Sequence, residues 1–151
     1  MKIHKYIFVI LSALLVCTGT YSQDKRTIET KVADLLARMP SANIGYTEKL
    51  MNEMIGLGEQ GINMICSQIV PPGTGDDAGV RFAVESLSRY LSQKDMISEK
   101  QVWEKICIGF VTGPKDNNIR DFFMKQLQQI GSDESVKALK SYLTDKEMCG
   151  P

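Results

Sequence analysis

Apolar residues recur at intervals of three and four along most of the chain, the period of a helix that buries one face. Ile28, Val32, Leu35, Leu36 and Met39 make the first stripe and predict a helix over 25–39. Pro40 ends it, because the residue before a proline is driven out of helical geometry. Leu50, Met51 and Met54 predict a second helix over 47–55, weakened at its end by Gly56 and Gly58. Ile62, Ile65, Cys66 and Ile69 predict a third over 59–69, closed by Val70 and two prolines. A fourth over 77–91 carries Val80, Phe82, Ala83, Val84, Leu87, Tyr90 and Leu91 inward. The pairs Asp77–Arg81 and Arg81–Glu85, each four apart, are expected on its exposed face.

A fifth helix is expected after Ser98, which with Gln101 three residues on has the form of a capping box. Val102, Trp103, Ile106, Cys107 and Phe110 continue it to the Gly113–Pro114 stop. A sixth over 118–129 presents Ile119, Phe122, Phe123 and Leu127, and Gly131 breaks it. Ser132 caps a seventh, along which Val136, Leu139 and Leu143 line up. Thr144 and Glu147 form another capping box, announcing an eighth helix just before the sequence stops. Seven helices joined by short connections leave little room for a sheet, and the expected fold is all-α.

PPGTGDD at 71–77 interrupts this pattern. A phosphate-binding loop needs a lysine and a hydroxyl residue after its glycines, and a strand before them. Here two aspartates follow the glycine and a helix precedes it. Asp76 and Asp77 could offer oxygens to calcium or magnesium, but the alternating ligand spacing of an EF-hand is missing. A structural connection accounts for more. The prolines end one helix, the glycines allow the turn, and an aspartate caps the next helix.

The chain begins MKIHKYIFVILSALLVCTGTYSQ, two lysines ahead of a short apolar core and then small polar residues. That is the form of a secretory signal peptide over 1–22 with Gln23 as the mature start, too short for a membrane span. Lipid attachment at Cys17 is the rival, against which stands Val16 where a smaller residue is usual. Removing 1–22 leaves 129 residues with 16 basic and 18 acidic side chains, a net charge of −2. That is enough chain for one compact domain. The weak charge gives no footprint for nucleic acid.

His4 is the one histidine and lies in the signal peptide, so the mature region supplies none. Ser-His-Asp and Cys-His catalysis and histidine-bearing zinc sites are thereby excluded from its own side chains. Ser86 and Ser88 lie on a helix without a nucleophile elbow. Glu85 and Glu104 are read as solvated helix positions, since acid chemistry needs an enforced separation in a cleft. Cys66 and Cys107 sit on apolar stripes as expected buried thiols, and whether they bridge is left open. Trp103, Phe110, Phe122 and Phe123 are expected to fill space between helices. Tyr46, Tyr90 and Tyr142 suit interfaces better, because a tyrosine packs its ring while its hydroxyl stays wet.

The helix after Leu57–Gly58 and the helix after Ile130–Gly131 share a spacing of apolar positions. Ile62, Ile65 and Ile69 correspond to Val136, Leu139 and Leu143, 74 residues on, which fits two helical-hairpin repeats of about 37. The mature chain resembles secreted HEAT-repeat (armadillo-like) proteins of Bacteroidetes-like bacteria. The resemblance rests on VADLLARMP at 32–40, LGEQGINMICSQIVPPGTGDD at 57–77, VRFAVESLSRYL at 80–91 and LQQIGSDESVKALKSYLTD at 127–145. It implies a right-handed α-α solenoid of HEAT-like hairpins over 23–151, which the seven helices and the start of an eighth read above would build; the sequence departs from the family by ending after the start of a new repeat.

No catalytic residue, cofactor or metal carries over from the resemblance. The expectation is a non-catalytic interaction or scaffolding module of the periplasm or secreted fraction, recognising a protein or further helical repeats. Asp76, Asp77, Arg81, Arg89 and Tyr90 are the candidate surface. The alternatives are an accessory carbohydrate-binding domain of a polysaccharide-processing system or an unrecognised hydrolase.

Overall fold

The computed structural model of the chain describes residues 24–113, 116–140 and 142. The expected signal-peptide cleavage, Cys17, Leu143, the capping box at Thr144 and Cys149 lie outside these residues. Seven helices follow one another: α1 Ile28–Leu36, α2 Ile44–Gly56, α3 Gly58–Cys66, α4 Ala78–Gln93, α5 Ile97–Thr112, α6 Asn117–Ile130 and α7 Asp133–Leu139. Among the described residues there is no strand, and no helix is long and apolar enough to cross a membrane.

Local chemistry sets the helix starts. The Thr27 hydroxyl accepts from Thr30 N at 3.3 Å, and the Asn43 side chain accepts from Tyr46 N at 2.9 Å. Asp116 accepts from Asn118 N at 2.8 Å, and Ser132 from Glu134 N at 3.3 Å. Each satisfies one of the N–H groups that a helix start leaves unpaired. Asn43 starts α2 three residues earlier than its apolar stripe predicts. The capping box expected at Ser98 is not formed. Lys100 N donates to Met96 O at 3.0 Å, so α5 begins before Ser98, anchored by Met96 packed against the core.

The helices pack in two rows. α1 lies against α3, α3 against α5 and α5 against α7, while α2 lies against α4 and α4 against α6. Between the rows each helix from α1 to α5 meets its successor, most extensively at α5 and α6. A longer-range contact joins α1 to α4. There Gly79 passes the end of α1, and a Cβ at that position would stand 3.2 Å from the Met39 carbonyl oxygen.

One continuous core runs between the rows. Leu50, Met51, Met54, Ile65, Leu87, Trp103 and Phe123 are sealed from solvent. Each such side chain contributes about 1.5–3 kcal/mol relative to exposure. The aromatics fill space as expected: Phe110 stacks on Phe123 with centroids 4.4 Å apart, and Phe122 meets Phe123 edge-on at 5.5 Å. The buried Trp103 ring is oriented by its Nε1–H, which donates to the Ser88 hydroxyl at 2.9 Å.

The proposed correspondence between α3 and α7 breaks in the packing. Ile62, Ile65 and Ile69 are buried, but Val136 is 65% exposed and Leu139 only half-buried. α7 instead turns Ser135 inward, toward a carboxylate on α5.

Candidate functional site

That carboxylate is Glu104, which is buried rather than solvated; Glu85 is exposed. Ser132 donates to Glu104 from its backbone N at 2.7 Å and from its hydroxyl at 2.8 Å. Ser135 donates from its backbone N at 3.2 Å and from its hydroxyl as well. Burial by itself would raise the carboxyl, but these serine donors outweigh it and hold Glu104 below the ordinary carboxylate range. The signal was present in the sequence. Glu104, Cys107 and Val111 fall at i, i+3 and i+7, so the acid lies on a buried stripe of α5.

The PPGTGDD connection folds as a clasp between α3 and α4. Thr74 donates from its hydroxyl to Pro71 O at 2.7 Å, and Gly73 takes a positive φ of 81°. Asp76 accepts from Ala78 N at 3.1 Å and so serves the first turn of α4. Asp77 occupies the cap position but turns its side chain back toward α3. One oxygen accepts from Val70 N at 3.0 Å and the other from Arg81 Nε at 2.8 Å. Arg81 also donates from Nη2 to Val70 O at 2.8 Å, closing a ring of three residues. Its guanidinium lies 4.8 Å from the Phe122 centroid, a cation–π contact with α6. The Asp77–Arg81 pair therefore faces inward rather than outward. The Arg81 hydrogen bond holds the Asp77 carboxyl below its usual range.

Arg89 and Tyr90 lie farther along α4, apart from Asp76, Asp77 and Arg81. They border a groove of about 170 Å³ between α4 and the start of α2, shared with Ile44, Thr47, Met51 and Phe82. The Tyr90 hydroxyl donates to Asn52 Oδ1 at 3.0 Å, and the ammonium of Lys94 sits 5.3 Å from the ring centroid. Lys94 also pairs with Glu48 at 3.3 Å, so one acid of the groove is already neutralised. Ile44 is 82% exposed, the most exposed large hydrophobic residue described.

The arginines differ in what they touch. Arg26 binds Asp24 and Asp34, Arg38 binds Glu53, and Arg81 binds Asp77. Arg120 donates to Val111 O, Gly113 O and Asn117 Oδ1. Among the described residues only Arg89 leaves its guanidinium without a hydrogen bond, ion pair or ring contact.

Two other concavities differ from it in character. A shallow depression of about 700 Å³ between α1 and α2 is rimmed by Arg26, Asp34, Arg38 and Glu53, charges that already pair with protein partners. A slot of about 290 Å³ among α2, α3, α4 and α5 has an apolar floor of Leu87, Leu91 and Trp103. Cys66 and Cys107 are both buried free thiols. Burial pushes each up from its ordinary value, with Cys66 adding to the effect on Cys107, so neither is a ready thiolate. No protein-family model, curated protein or solved structure matches the chain.

Proposed function

We propose that the chain is a non-catalytic protein-interaction module of the cell envelope, built as a short HEAT-like α-solenoid. The order of packing supports the solenoid reading, since stacked helical hairpins bring each helix against its next and next-but-one neighbours. The signal-peptide form of 1–22 supports a periplasmic or secreted setting.

The observation that carries the functional reading is the groove between α2 and α4. It joins Ile44, an exposed apolar residue, to a rigid tyrosine and an unengaged arginine, the residue types enriched where protein surfaces bind. A carbohydrate platform would call for several exposed rings. Tyr46 is the one aromatic among the large exposed hydrophobics of the described residues. The buried, raised thiols and the histidine-free mature sequence likewise give no support to a hydrolase.

Photo-crosslinking in intact producing cells tests the reading. A benzophenone amino acid at Ile44 should trap one discrete envelope protein, while the same group at the exposed Ser67 should not. Identical products from both positions, or none from Ile44, would overturn the assignment of this groove.

A further inference from the structure

Resting on that reading, we propose that the groove between α2 and α4 recognises a peptide segment in which a carboxylate side chain stands beside a large apolar one, the carboxylate bound by Arg89.

Size argues for a peptide side chain over a free small molecule. Small-molecule pockets run to about 300–1,000 Å³ and enclose most of the ligand. This groove offers about 170 Å³ and is open, room for one large side chain entering from a chain that continues outside. The walls match an apolar group: Ile44 comes from α2, Phe82 and the ring of Tyr90 from α4. Tyr90 is held in place by Asn52, so this wall exists before anything binds.

Charge fixes the second half of the recognition. The groove's acid, Glu48, is paired with Lys94, which leaves Arg89 as the uncompensated charge beside the apolar walls. A guanidinium presents parallel N–H donors that match the two oxygens of a carboxylate. An incoming lysine or arginine would meet Arg89 and Lys94 as like charges, and a neutral amide would forgo the charge-assisted bond. The partner segment is therefore acidic and apolar, not basic.

A phage-displayed random dodecapeptide library, selected on the full mature chain, tests this whatever the natural partner is. The expected winners carry Asp or Glu within two positions of Leu, Ile, Met or Phe. As fluorescein-labelled synthetic peptides they should lose affinity about ten- to a hundred-fold on Arg89→Met, the range expected for one charge-assisted hydrogen-bonded contact. Replacing the peptide's acid by its amide should cause a similar loss in the wild type and little further loss in Arg89→Met. Unchanged Trp103 fluorescence and helical circular dichroism would establish that the variant is folded. Winners without acids, an acid that matters equally in both proteins, or no winner displaced by an Ile44→Glu change would each overturn the proposal. Crosslinking at Ile44 with an acid-independent partner would sink this inference while leaving the interaction module standing.

Discussion

Glu104 on α5 accepts hydrogen bonds from both the backbone N–H and the hydroxyl of Ser135 on α7, 31 residues later in the chain. Ser132 repeats the arrangement, so one buried carboxylate satisfies four donors around the start of the last described helix. Glu104→Gln keeps the shape but loses the charge that strengthens these bonds, all four of which converge on Oε1. It should cost about 1–2 kcal/mol, the difference between charge-assisted and neutral hydrogen bonds. Urea unfolding gives the global loss, and hydrogen exchange should show it first in α7, ahead of α2 and α4.

The same carboxylate makes the docking of α7 sensitive to acid. Its folded-state pKa is lowered, so its contribution is fully present above the unfolded value, about 4.3 for Glu. The contribution is lost as pH falls from there through the folded value. Nearby Cys107 stays a neutral thiol throughout this range, since burial raises it. Exchange protection of the α7 amides should therefore fall below about pH 4 in the wild type. In Glu104→Gln the same amides should be weakly protected with little pH dependence over that window.

At the α3–α4 junction, Asp77→Ala strands the Val70 N–H and takes the acceptor of the Arg81 Nε–H, leaving that guanidinium only Val70 O and the Phe122 ring. The expected loss is about 2–4 kcal/mol, more than for an exposed ion pair, since side-chain exposure is only 12% at Asp77 and 27% at Arg81. A double-mutant cycle with Arg81→Met should return a coupling of about 1–3 kcal/mol. Additive losses in urea unfolding would show that the two side chains act independently.

Ser88→Ala removes the acceptor of the Trp103 indole N–H inside the core. About 1–3 kcal/mol of stability should go with it. Trp103 is the one tryptophan of the chain, so its fluorescence reports the change directly. A shift in the emission maximum of the native state should accompany the lowered urea midpoint.

Cys66 and Cys107, both without exposed surface, should resist iodoacetamide in the native protein. Their modification should rise with urea along the unfolding curve. Rapid labelling of either thiol without denaturant would contradict the packing of α3 on α5.

Sequence periodicity conveyed the number and order of the helices because each stripe is long enough to outvote local exceptions. Val32, Leu35, Leu50, Leu87 and Phe123 all lie where period 3.6 puts them. It conveyed the tertiary polar contacts poorly. The stripe that Glu104 shares with Cys107 and Val111 turns it inward, but no spacing names the serine donors it meets there, which the approach of α7 supplies. Asp77 was legible as a helix-start residue, but its turn toward Val70 depends on where α3 ends. Arg89 and Ile44 are 45 positions apart, and no spacing rule joins them; the groove exists because α2 and α4 lie side by side.

The two-row packing has a kinetic corollary. Among the described residues, apart from the α1–α4 contact, the more extensive helix contacts join pairs separated by at most one intervening helix, so most loop closures during assembly are short. Chains with such local topology fold quickly, on the order of microseconds to milliseconds. A polypeptide emerging amino-terminus first can thus secure each segment soon after it appears, long before its last residues arrive.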